Sequence, residues 1–115
     1  SNDSEGSLKI DRTAPVADSV SSDTTSASVI FVDDGPTSKI ATIGGITVDI
    51  NGTDVTTSSS ISTTSALGIN VAYNVPTTPG SIVTIDYSGT GIEDEAGNVA
   101  PSFTVTGTPG AISLD

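Results

Sequence analysis

Apolar and polar residues alternate with a period of two along much of the chain, the pattern of strands with one buried face. Residues 45–51, GITVDIN, set Ile46, Val48 and Ile50 on one side and Thr47, Asp49 and Asn51 on the other. Residues 67–75 place Leu67, Ile69, Val71, Tyr73 and Val75 inward, with Gly68, Asn70, Ala72 and Asn74 outward. The same alternation recurs at 81–88, with Val83, Ile85 and Tyr87, and at 102–106, with Phe103 and Val105. SVIFV at 28–32 is apolar on both faces and predicts a central strand. Residues 15–21 and 59–65 carry weaker versions of the pattern. No window sustains the three- and four-residue spacing of a helix, and Ser and Thr make up roughly a third of the chain.

Turn signals separate these runs: Asp34-Gly35-Pro36, Gly44-Gly45, Asn51-Gly52, Pro79-Gly80, Gly89-Thr90-Gly91 and Gly97-Asn98. Asn51-Gly52 suits a two-residue hairpin, because both residues tolerate positive φ. Short strands divided by turns at this interval predict an all-β fold, an Ig-like antiparallel β-sandwich of about seven strands.

Composition narrows what such a sandwich does. A length of 115 residues fits one domain. Aromatic residues make up only 3% and Trp is absent, so the core rests on Val, Ile, Leu and Ala. Without Cys or His there are no disulfides, no ordinary zinc sites and no Ser/His or Cys/His nucleophiles, and the chain is read as a non-enzyme. The net charge of −11, with only Lys9, Arg12 and Lys39 as cations, repels nucleic acid and anionic membranes and favours cations as partners. No apolar run is long enough to span a membrane. Glu93 and Glu95 resemble a glycosidase pair only in spacing, since an aromatic-lined cleft is lacking from the pattern. The Thr56–Ser65 stretch lacks the regular Thr-x-Thr repeat of a flat ligand face and reads as a solvated edge.

Three acidic clusters fall at strand ends or turns: Asp11, the pair Asp33-Asp34, and Glu93-Asp94-Glu95 followed by Asn98. Turns from alternate strands of a sandwich can meet at one pole. Calcium takes six to eight oxygens from carboxylates, carbonyls and waters in irregular geometry, which loops of this kind supply. Magnesium keeps more of its waters, and transition metals lack their nitrogen and sulfur ligands here. The competing reading is turn chemistry alone, in which Asp and Asn bond to nearby backbone. The metal candidates are Asp11, Asp33, Asp34, Glu93, Asp94, Asn98 and Asp115, with calcium as the ion.

Ser7-Leu8-Lys9-Ile10-Asp11 and Ala111-Ile112-Ser113-Leu114-Asp115 resemble each other, and their aspartates lie 104 positions apart, about one sandwich domain. This divides the chain into a linker strand at 1–11, the sandwich at 12–107, and a second linker strand at 108–115. Ile10-Asp11-Arg12-Thr13-Ala14-Pro15 resembles the Asp-x-Thr-Ala-Pro linker of bacterial Ig-like and cadherin-like adhesin repeats. Ile92-Glu93-Asp94-Glu95-Ala96-Gly97-Asn98 resembles the Asp-x-Ala-Gly-Asn turn before the last strand of the same repeats, notably the SwmB-like ones. The resemblance implies a calcium-stabilised extender of a large extracellular, cell-surface adhesin, with Asp11 and Asp94 as the leading ligands. Arg12 departs from the pattern and places a cation that competes for the linker carboxylate. Residues 37–45 are longer than the usual connection. The implied partners are neighbouring repeats and calcium ions, with the isolated domain monomeric. The alternatives are a ligand-binding module of the adhesin, for sugar, peptide or ice, and an accessory domain of a secreted hydrolase.

Overall fold

A computed structural model of the protein describes residues 14–33 and 39–114. Eleven strands lie among them: β1 (Val16–Ser22), β2 (Ser26–Val32), β3 (Ile40–Thr42), β4 (Ile46–Ile50), β5 (Thr53–Asp54), β6 (Ser60–Ser65), β7 (Gly68–Ala72), β8 (Val83–Tyr87), β9 (Glu93–Asp94), β10 (Phe103–Thr108) and β11 (Ala111–Leu114). One sheet has the order β1-β2-β7-β6, a second the order β11-β10-β8-β4-β5, and β3 and β9 form a separate ribbon. Every pairing is antiparallel. Four strands ordered first-second-fifth-fourth, facing a sheet of the third, sixth and seventh, is the Ig-type sandwich once the short elements are set aside.

All seven runs read from alternation are strands, but the expected total of about seven is corrected to eleven. The four additions are β3, β5, β9 and β11. Elements of two or three residues are too short to display a two-residue period, which hides β3, β5 and β9 from any pattern search. The long 37–45 connection is partly accounted for by β3, which pairs Ile40 with Asp94 and Thr42 with Glu93. Ala111–Leu114, expected within a linker, is hydrogen-bonded along β10.

The core follows the predicted faces. Ile46, Val48, Ile50, Ile69, Val71, Tyr73, Val83, Ile85, Tyr87 and Val105 are all buried, joined by Ala27, Val29 and Phe31 of β2. Phe103 links the sheets by an edge contact to Phe31 at 5.8 Å and a tilted contact to Tyr87 at 5.2 Å between centroids. β2 is central in its sheet, yet its second face is not covered, because Ile30 and Val32 are 42% and 49% exposed. The apolar outer face is partly explained by Gly68. Ile30 Cδ1 lies 3.1 Å from where a Cβ of Gly68 would stand, so the isoleucine covers the gap beside its cross-strand partner.

The registers define two poles. Val16 faces Val32, and Ile46, Tyr87 and Phe103 are aligned, so β1, β4 and β10 all start at one pole, called upper here. The β3–β9 ribbon caps this pole and is tied to the other sheet by Ile40 N–H donating to Ala66 O at 2.7 Å. The lower pole holds the Asn51-Gly52 hairpin, with φ of 54° and 83°, whose Asn51 Oδ1 accepts from Ile82 N–H at 2.8 Å. The chain leaves β10 at the lower pole, turns at Pro109-Gly110, and returns upward as β11 beside β1.

Candidate functional site

The upper pole collects the acidic residues singled out by sequence that fall in the described range. β2 runs into Asp33, which is half-buried with Oδ2 shielded from solvent. β8 leads through a tight glycine-rich bend into β9, where Glu93 is half-buried and Asp94 is 2% exposed. The bend is fixed from two sides. Tyr87 accepts a bond from Ile92 N–H at 3.1 Å and donates its hydroxyl to Ala100 O at 3.0 Å. Gly91 and Gly44 meet backbone to backbone, where a Cβ on Gly91 would fall 2.5 Å from Gly44 C.

Asp94 closes the following turn on itself. Its Oδ1 accepts from the N–H groups of Ala96 and Asn98, both at 2.9 Å, and its Oδ2 accepts from Asn98 Nδ2 at 3.1 Å. Its own N–H donates to Asn98 O at 3.1 Å, while Gly97 N–H donates to Asp94 O at 3.0 Å. Gly97, at φ 87°, supplies the left-handed residue that this closure needs. A carboxylate offers about four acceptor positions, and three here receive N–H donors. Such an environment stabilises the negative charge by hydrogen bonding and turns positive ends toward the position a cation would take. Asp94 and Asn98 therefore lock this turn. Glu95 faces Lys39 across 4.0 Å in an exposed pair, a contact worth little in water.

Asp33, Glu93, Asp94 and Asn98 are thus brought to one pole, as the topology of alternate turns suggested. Asp11, Asp34 and Asp115 lie outside the described residues. Among the described residues, no three carboxylates converge on a common point.

The lower pole carries acidic turns that sequence reasoning passed over. Asp23 Oδ1 accepts from Thr25 N–H and Thr25 Oγ1, both at 2.8 Å, and from Ser26 N–H at 3.0 Å. These bonds, the Thr25 N–H first, hold its carboxyl below the usual range. Asp54 is lowered in the same way by Thr56. The signal was present as Asp-Thr-Thr-Ser between two strands, an Asx-turn composition. Behind Asp23, Tyr73 is fully buried, and its hydroxyl has no hydrogen-bond partner among the described residues. Burial, with the Asp23 charge second, pushes that phenol up to about 12. A shallow groove of ≈ 530 Å³ runs nearby, lined by Thr25, Ser26, Asn70, Asn74 and Pro76 among others.

These features define an all-β sandwich with acidic turns at both poles. In comparisons with known proteins, the chain matches no family model, no curated protein and no solved structure at a significant level.

Proposed function

We propose that the chain is a spacer repeat of a large bacterial surface adhesin, with calcium at the upper pole stiffening the joint to a neighbouring repeat. The observation that carries this reading is the gathering at one pole of the start of β1, Asp33 at the end of β2, and Glu93 on the β3–β9 ribbon. On a chain of net charge −11, carboxylates grouped where the chain enters repel one another until a divalent ion neutralises them. Asp33 and Glu93 are the described candidates for ligands, with Asp11, Asp34 and Asp115 as the further acids on adjoining sequence. Asp94 and Asn98 serve that site by shaping the turn, not by donating to the ion. An extracellular, cell-surface location accords with calcium at millimolar concentration and with a chain lacking Cys.

The test is thermal unfolding in calcium and in chelator. With an affinity near 0.1 mM, 10 mM calcium stabilises the fold by about 2.7 kcal/mol per site, roughly 10 °C for a domain of this size. A midpoint that stays within one degree removes calcium from the proposal and leaves a plain spacer.

A second reading, a ligand-binding module, draws on the groove over β2 and β7. Its amide and hydroxyl lining, including Asn70, Asn74 and Ser26, suits the hydroxyls of a sugar. A glycan array on the isolated domain, with an Asn70→Ala control, distinguishes the two.

A further inference from the structure

The chain carries 14 acidic residues, yet residues 55–85 hold no charged side chain. This stretch builds β6, β7 and the first part of β8. Its placement matters because β6 ends the first sheet, and no described strand pairs with its outer side.

The other sheet ends are closed in different ways. β1 and β11, at one end of each sheet, lie side by side. β5 is two residues long, and its Asp54 stands opposite Asp49, so a further strand there would meet paired carboxylates. The β3–β9 ribbon carries Glu93 and Asp94. Sheet edges are ordinarily protected by charge, by proline or by extreme shortness. Ser60–Ser65, SISTTS, has six residues, no proline and no charge. Its one irregularity is a break in register between Thr63 and Ser65.

The opposite sheet does not cover this edge either. Ile61 and Thr63 lie opposite the buried Val71 and Ile69, so both occupy the inner face, while Ser60 and Ser62 lie opposite Ala72 and Asn70 on the outer one. Ile61 packs half-buried on the core, but Thr63 is exposed despite its inner position.

We propose that the β6 edge pairs with the same edge of a second copy of this chain, antiparallel about a two-fold axis, so that the two four-stranded sheets become one. Charge selects the occupant. Two copies of net charge −11 repel wherever their acidic turns approach, and β6 is the sheet end at which they meet without opposing carboxylates. Side-chain parity then sets the register. Directly opposed residues of antiparallel strands share a face, so inner residues must meet inner residues. Placing Ser62 on the axis achieves this: Ile61 of each copy lies against the partner's Thr63 and covers the exposed inner row. A ladder over residues 60–64 is about 17 Å long and buries less than a stable complex needs, so half-association falls on the order of 0.1–1 mM. Where copies stand in rows, which is the part that rests on the spacer reading, the contact repeats and its strength multiplies.

The experiment uses the full chain in EDTA. Sedimentation from about 10 μM to about 1 mM should show a monomer converting to a dimer, and raising NaCl from about 50 to about 500 mM should strengthen the dimer severalfold by screening the net charge. Ser62→Asp sets two like charges on the axis and should weaken the dimer by about tenfold or more. Residue 62 is exposed, so circular dichroism and the unfolding midpoint of the monomer should stay unchanged. Because the chain has no Cys, Ser62→Cys supplies a single thiol, and opposed Cα atoms about 4.5–5.5 Å apart lie within disulfide range. Under mild oxidation it should cross-link about tenfold faster than Ser113→Cys, an exposed thiol on β11. A chain that stays monomeric at the highest concentration overturns the proposal and leaves this edge to a strand of another protein. So does a dimer that Ser62→Asp leaves intact, or cross-linking as fast from residue 113 as from residue 62, since the contact then lies elsewhere. The calcium test of the spacer reading can fail without altering any of these outcomes.

Discussion

Replacing Tyr73 by Phe removes one oxygen and leaves the ring in place. The ring is fully buried just after β7, where Tyr73 N–H donates to Thr25 O at 3.0 Å. The hydroxyl has no partner among the described residues. A buried hydroxyl without a hydrogen bond costs about 1–3 kcal/mol relative to one left in water. Removing it relieves that cost but leaves a small void, so a net gain of about 1 kcal/mol is expected, or roughly 4 °C in midpoint. Calorimetry at neutral pH measures this directly. A second arm uses alkaline pH. The folded phenol is pushed up to about 12 from 10.0, so the neutral form is favoured by folding. That contribution is complete below pH 10 and is lost as pH rises toward 12. The parent should therefore weaken over this window more than Tyr73→Phe does, widening the gap between them. A lower midpoint for the variant would refute the reasoning, because it would mean that the hydroxyl makes a favourable bond. A gap that stays constant from pH 8 to pH 11 would refute the alkaline part.

Other substitutions probe the poles. Gly91→Ala should destabilise by about 2 kcal/mol or more in urea unfolding, since its Cβ would meet Gly44 C at 2.5 Å with φ at +112°. Asp94→Ala removes the acceptor for Ala96 and Asn98 N–H, and should cost about 2–4 kcal/mol by the same measurement. Asp23 is lowered in the folded state, so its contribution is present above the ordinary value of 3.8 and is lost as pH falls through the lower folded value. Asp23→Ala should consequently flatten the acid limb of a stability-against-pH curve below about pH 4, and an unchanged limb would count against the turn's role.

The strands that alternation revealed are the ones long enough to show it. Ile46, Val48 and Ile50 announce β4 because five residues contain three buried positions, whereas the two residues of β9 contain no pattern at all. β2 was misjudged on its outer face because an apolar side chain says nothing of whether a sheet or solvent lies opposite. Ile30 is accounted for only when Gly68 is seen beside it. The meeting of Asp33 with the Glu93–Asn98 loop at one pole depends on strand order, which spacing does not encode. The Asp94 turn was different, since Asp-x-x-Gly-Asn already carries both the acceptor and the left-handed residue. The sequence did not show that three N–H donors within 3.1 Å would converge on that carboxylate, because their positions depend on how the turn closes.

The return of β11 toward the pole where β1 starts governs how the domain meets force. Tension applied between Ala14 and Leu114 draws two neighbouring ends away from one side, so the bonds of β11 to β10 open one after another, like a zipper. Once that strand is out, the load path runs from the upper end of β1 to the lower end of β10. The remaining ladders are then strained together, in shear. The five residues 110–114, drawn straight, lengthen the chain by about 17 Å before the sandwich itself bears load. The domain therefore yields first and stiffens afterwards.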